Sequence, residues 1–333
     1  MQLIKFEDLK AVSYLKTEHL DGRTVNLMPL WDGHHWRSWF PTPEGLVEGK
    51  MVDSIEGDYV SNTPAMDSDL FIPFVHLMWQ RASWPEICPL IVAICDDFHN
   101  MGTSVAKLQH FFNCRKNLPD GAARRFASTE LEYLVILART VFDLLQEMIS
   151  LIWSTHVKLL DPSAEARRRS SSLPETFSKI VLHNKQNLKS ADEIEKQYGL
   201  PEPLAKGYAS IGPFFSQLRD LRDSIVHGGQ GLNVIFDTER GFCVDPKTAP
   251  FSSFHGWRFE HYYNQRIASV LPWIADTILG TIDACNSLMG LFESIIQLPP
   301  EIAPEYRIFV RGPHNESLAR VLQVHSGASP WWD

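Results

Sequence analysis

The chain has 333 residues with 44% hydrophobic and 21% charged side chains, enough for one large domain or two ordinary ones with a sizeable core. Its formal net charge of −9 argues against a surface coated for nucleic acid or anionic membrane, while leaving room for a local basic site. The five cysteines, Cys88, Cys95, Cys114, Cys243 and Cys285, are odd in number and lack CxxC spacing, which speaks against a disulfide framework or a cysteine-rich zinc site.

The first residues, "MQLIKFEDLK", mix charge with apolar side chains and do not read as a secretory signal. Residues 1–65 are rich in turn formers and aromatics and read as loops with a few short strands or helical turns. In "DGHHW", Asp32, His34 and His35 raise the thought of a metal, but adjacent histidines converge poorly and a structural turn is the favoured reading. Residues 66–118 read as two or three helical pieces punctuated by Pro73, Pro85, Pro89 and Gly102. Cys95 and His99 stand four apart there, half of a metal site or simply a buried cysteine near a helix end.

After the break at "NLPDGAA", Thr129 and Glu132 have the spacing of a capping box, and the strongest helix of the chain is expected over 129–160. Glu132, Arg139, Asp143 and Gln146 form a polar stripe on it. Arg139 and Asp143 are spaced to pair, and Asp143 or Glu132 could instead orient groups of a nearby site. This apolar stretch is interrupted by Arg139, Asp143 and Glu147, so a membrane span is not expected. "DPSAEARRRSSSLPET" reads as a basic, Ser-rich loop that either touches RNA phosphates or is merely solvated.

Shorter helices are expected over 175–198 and 203–210. Gly212-Pro213 then suggests a kink or a fresh helix start, with a helix over 213–227. On a helical wheel Phe214, Leu218, Leu221 and Ile225 share a narrow core face, while Arg222, Asp223 and His227 share an outward arc. Gly228 or Gly229 can end this helix. "LNVIFDTERGFCVD" reads as a hairpin over 232–245, 257–297 as a long helical region bent at Pro272, and "RIFV" as a short strand.

The stretch "LRDLRDSIVHGG" carries the sharpest chemistry. Arginine offers phosphate a permanently charged planar fork, and histidine exchanges protons near neutrality. Together they suit RNA cleavage without metal. His227 would take the 2′-hydroxyl proton or give one to the leaving oxygen, Arg222 would stabilise the phosphorane-like transition state, and Asp223 would orient either one. The bland alternative is a charged helix end, since basic side chains complement the macrodipole there and Asp220 and Asp223 can pair with neighbouring arginines.

Arg222-Asp223-Ser224-Ile225-Val226-His227 resembles the R-D-x-x-x-H signature of the HEPN superfamily. The resemblance implies a helical bundle of four or more helices, RNA as a possible substrate, and a homodimer in which two motifs face one cleft. It covers residues 125–295 in architecture but only the six-residue motif and its helix in sequence. The glycine pair after His227 is a departure, because it makes this histidine the last residue of its helix.

The expected fold is therefore mainly α: a HEPN-like antiparallel helical bundle over 125–297 with one β-hairpin. An N-terminal helical and loop-rich subdomain over 1–120 precedes it, and a C-terminal extension over 298–333 follows. The expected protein is cytoplasmic and dimeric, needs no cofactor or metal, and is either a metal-independent endoribonuclease or a non-catalytic binding or scaffold protein with a protein partner. "HGGQG" follows a helix and precedes a strand, the reverse of nucleotide-loop order, and no GxxxxGK[ST] occurs, so no nucleotide cofactor is expected.

Overall fold

In a computed structural model the described residues are 4–53, 56–156, 158–168, 172–184, 187–227, 232 and 235–326, with the His227 side chain left out. The chain opens with two 3-10 turns and then builds β1 (Leu30–Trp31), β2 (Trp36–Thr42), β3 (Gly45–Met51) and β4 (Gly57–Ser61). Helices α1 (Pro73–Arg81), α2 (Cys88–Cys114) and α3 (Ala122–Thr155) follow. Next come α4 (Pro162–Arg168), α5 (Phe177–Val181), β5 (Leu182–His183), β6 (Asn187–Leu188), α6 (Ala191–Tyr198) and α7 (Glu202–His227). The last elements are β7 (Phe236–Asp237), β8 (Phe242–Val244), β9 (Ala268–Ser269), α8 (Leu271–Ile295), β10 (Arg307–Arg311) and α9 (Asn315–His325).

The fold is α/β, which corrects the expectation of a mainly α protein. A five-stranded mixed sheet runs in the order β10-β4-β1-β2-β3, with β1 parallel to β4 and the other pairs antiparallel. Two smaller sheets, β5-β6 and β7-β8-β9, accompany it. The large sheet was hidden because its strands are short and its outer strand β10 joins β4 from more than two hundred residues away. β10, from the stretch expected as a C-terminal extension, lies against β4 with Ile308 opposite Val60 and Phe309 opposite Tyr59. The expected hairpin over 232–245 is β7-β8, with β9 as a third strand.

Four long helices, α2, α3, α7 and α8, pack on one another, and α1 lies between β10 of the large sheet and α8. α3 begins at Ala122, seven residues before Thr129, after Gly121 in a left-handed conformation at φ 79°. Thr129 is not a cap; its hydroxyl donates back to the Arg125 and Phe126 carbonyls inside the helix. The buried side of α3 includes Leu134, Val141, Phe142, Leu145 and Ile149, at the spacing a core-facing helix requires. α2 passes uninterrupted through Gly102, whose missing side chain leaves room for Leu318 of α9.

Three sequence readings are corrected at helix ends. α7 is one helix from Glu202 to His227, continuous through Pro213, so 203–210 and 213–227 are not separate pieces. α8 begins only at Leu271, with Pro272 in its first turn, where a missing N–H costs nothing; residues 257–270 are a 3-10 turn, irregular chain and β9. The basic Ser-rich stretch contains α4, and Arg168 there is bound to Glu165 by two nitrogens and to the Trp153 carbonyl by a third. Arg168 is therefore structural, whereas Arg169, Ser170 and Ser171 lie outside the described residues.

One set of buried apolar side chains runs from Val12 to Val324, joining sheet and helices in a common core. Among the described residues no helix is long and apolar enough to cross a membrane.

Candidate functional site at the end of α7

α7 is wedged between α3 and α8, and this decides which of its residues are buried. Ile211, Phe215 and Leu218 form the inner face. Phe215 packs against Phe142 of α3, and Phe214 lies over Gly280 of α8, where a β-carbon would sit 2.7 Å from the ring. The narrow core face expected from Phe214, Leu218, Leu221 and Ile225 is thus rotated. Leu218 is buried, while Phe214, Leu221 and Ile225 pack at the rim of the core. A helix with neighbours on two sides has a wider apolar arc than the wheel of one face suggests.

The expected site residues lie in the last two turns. Arg222 and Asp223 are both partly exposed, with side-chain accessibilities of 40% and 39%. Arg222 Nη1 donates to Asp223 Oδ1 at 3.0 Å. Asp223 also faces Arg219, whose Nε is 3.7 Å from Oδ2 one helical turn earlier. One carboxylate therefore stands between two guanidinium groups and holds the Arg222 fork in place. His227 closes the helix four residues after Asp223, on the side of α7 that carries the Asp223 backbone position. The Gly228-Gly229 stop, like the His227 side chain, lies outside the described residues.

The polar stripe on α3 has its own partners. Arg139 pairs with Asp143 at 2.7 Å, and its guanidinium lies 4.5 Å from the centre of the Phe215 ring. Glu132 accepts from the Leu232 backbone N–H at 2.9 Å, and the Ser128 hydroxyl donates to the Leu232 carbonyl. Gln146 is buried, accepting from the Tyr208 hydroxyl and donating to the Pro174 carbonyl. Of these, Glu132 is the residue bonded to the chain that follows α7. It ties Leu232 to α3. The sequence offered Glu132 as a capping-box partner of Thr129, as part of the stripe and as a group that could orient a nearby site; its contact with Leu232 has no local signal, because it spans a hundred residues.

Beside the same two turns, on the α8 side, runs an open cavity of about 420 Å³ lined by Gln217, Asp220, Ser224, Pro250 and Ser253 among others. Asp276, further along the same groove, has its carboxyl pushed up by burial.

The other candidate metal groups resolve into structure. Asp32 Oδ1 accepts from the His34 and His35 backbone N–H groups, a turn between β1 and β2. These two bonds hold the Asp32 carboxyl below its ordinary value. Cys95 is buried, and desolvation raises its thiol well above the usual range, which disfavours a ligating thiolate. Among the described residues no group of three or more His, Cys, Asp or Glu side chains is arranged to hold a metal ion.

No family model matches the chain, and no curated protein or solved structure matches it either. The resemblance to the HEPN signature rests on residues 222–227 and the helix that carries them.

Proposed function

We propose that this chain acts on RNA at the end of α7, as a HEPN-like, metal-independent endoribonuclease. The observation that carries the reading is the partly exposed Arg222, held by Asp223, five residues before the histidine that ends the same helix. Arg222 binds the non-bridging oxygens of a phosphodiester and stabilises the charge that builds on them. His227 takes the proton of the neighbouring 2′-hydroxyl. The 2′-oxygen attacks phosphorus, the bond to the 5′-oxygen breaks, and that oxygen receives a proton from the His227 of a second copy. The products are a 2′,3′-cyclic phosphate and a 5′-hydroxyl. Asp223 is the positioning residue, restricting the guanidinium to one arrangement.

A second reading has its own supporting observation. Asp223 sits against both Arg219 and Arg222, so much of the local positive charge is compensated within the helix. A surface of that kind suits binding of a protein partner without catalysis. Incubation of a mixed RNA pool in EDTA separates the two. Cleavage that leaves 2′,3′-cyclic phosphate ends, and that is lost in Arg222→Ala and His227→Ala, supports the nuclease. Folded wild-type protein that leaves all RNA intact supports the binding protein.

A further inference from the structure

A second site stands away from α7's end, where α5, the β5-β6 hairpin and α6 meet. These elements line an open cavity of about 650 Å³, within the range of small-molecule sites. Its wall is basic and rich in hydrogen-bonding groups: Lys179, His183 and Lys189, with Ser178, Asn184 and Tyr198.

Lys189 is the unusual member. It is only 7% exposed, yet among the described residues it has no carboxylate partner. Its ammonium donates to the Lys179 carbonyl at 2.7 Å and to the Tyr198 hydroxyl at 3.0 Å. The Tyr198 hydroxyl in turn donates to the same carbonyl at 2.6 Å. An ammonium has three N–H donors, so one remains for a ligand. Its backbone is fixed as well, because Lys189 N–H donates to the Val181 carbonyl and the preceding Leu188 pairs with Leu182.

Glu193 of α6 has other partners. Glu193 spends one oxygen on the Ser190 backbone and hydroxyl, forming the capping box of α6, and presents the other to His183 at 3.3 Å. Taking an ammonium out of water without a counter-charge is costly, and a bound anion removes that cost. The pocket thus holds a rigid buried cation, a second lysine at its rim and several neutral donors, all around a space large enough for a ligand.

We propose that this pocket binds the phosphate group of a small phosphate monoester. Lys189 supplies the fixed inner charge, Lys179 the outer one, and the hydroxyl and amide groups the remaining hydrogen bonds. The inference is independent of the reading of Arg222 and His227.

Calorimetric titration tests it with ribose 5-phosphate, inorganic phosphate, unphosphorylated ribose and a short single-stranded RNA. Ribose 5-phosphate is expected to bind and to raise the melting temperature, whereas ribose does neither. Inorganic phosphate is expected to compete. Lys179→Ala, at an exposed position that leaves the packing intact, should weaken binding about tenfold, the loss of one charge-assisted hydrogen bond. Lys189→Met should abolish binding, with circular dichroism reporting whether it folds. Binding of ribose 5-phosphate that is unchanged in Lys179→Ala would overturn the proposal. So would the absence of binding at about 10 mM ligand, or binding of the RNA without any binding of ribose 5-phosphate.

Discussion

Asp58 shows how one residue can trade stability for position. It lies on β4 and accepts a 2.7 Å hydrogen bond from Trp79 Nε1 on α1, tying the sheet to the helical layer. Its other oxygen, Oδ1, is buried with no partner among the described residues. Burial pushes this carboxyl up to about 6, with Asp96 adding like-charge repulsion. The unfolded chain ionises the same group near pH ~3.9, so the fold binds the proton more tightly than the unfolded chain does. Stability from this group is complete below about pH 4, falls as pH rises toward 6 and is level above that. Asp97 is also raised to about 6 by burial and adds to the same trend. Asp58→Asn keeps an acceptor for Trp79 and removes the charge. Relative to wild type it should gain about 2–3 kcal/mol between pH 4 and pH 7. Urea unfolding across that range measures the gain; a stability difference that stays constant with pH contradicts the assignment.

The candidate residues at the end of α7 were legible in the sequence as a pattern on one helix. Arg222, Asp223 and His227 stand at fixed spacing, and the helix that carries them forms. Their electrostatic balance was less legible. Either arginine could have been the partner of Asp223, and both flank it.

At the scale of elements, the contact between α7 and α8 makes a paired prediction. Gly280 gives Phe214 its seat, with a β-carbon there only 2.7 Å from the ring, whereas Gly290 on the same helix faces open space. Gly280→Val should destabilise by about 1–3 kcal/mol through overpacking. Gly290→Ala should stabilise by about 0.5–1 kcal/mol, because alanine loses less backbone freedom in a helix. Thermal or denaturant unfolding of the two variants checks this, and shifts of the same sign would count against the packing described. The same helices show what local pattern can reveal. The long apolar periodicity of α3 announces a helix, but its start does not, since Ala122–Ser128 carry charge and small residues that helices tolerate anywhere. Pro213 misleads in the opposite direction: it reads as a helix start, yet the flanking contacts of Phe214 and Phe215 keep α7 continuous.

At the scale of the whole molecule, the two ends of the chain form one structure. β10 pairs with β4 along its full length, and Arg311 reaches Asp53 and Asp69. Gln80 of α1 is buried and takes three bonds from the stretch before β10, to Ala303 N–H and to the Ala303 and Tyr306 carbonyls. Removal of residues from 304 onward would strip β4 of a strand and leave Tyr59 without the Phe309 ring stacked on it. Such a chain should lose cooperative unfolding and aggregate, which scanning calorimetry and light scattering record. A sharp transition at the wild-type temperature would show that the sheet does not depend on its last strand. No local pattern could announce this pairing. β1, β2 and β3 find their partners close by in the chain, but β4 is completed by β10, more than two hundred residues away.

At the end of α7 the molecule presents the partly exposed Arg222–Asp223 pair, on a body whose net charge is −9. On the proposed reading, long-range attraction for RNA is weak and recognition comes from local contacts at the end of that helix. The most direct measurement is RNA cleavage in EDTA by wild type beside His227→Ala, with folding of both verified and the product ends identified. The account predicts cyclic-phosphate products from wild type and a loss of at least about 100-fold in the variant, the usual scale for a proton-transferring group. Equal cleavage by the two proteins, or none by wild type, would contradict it.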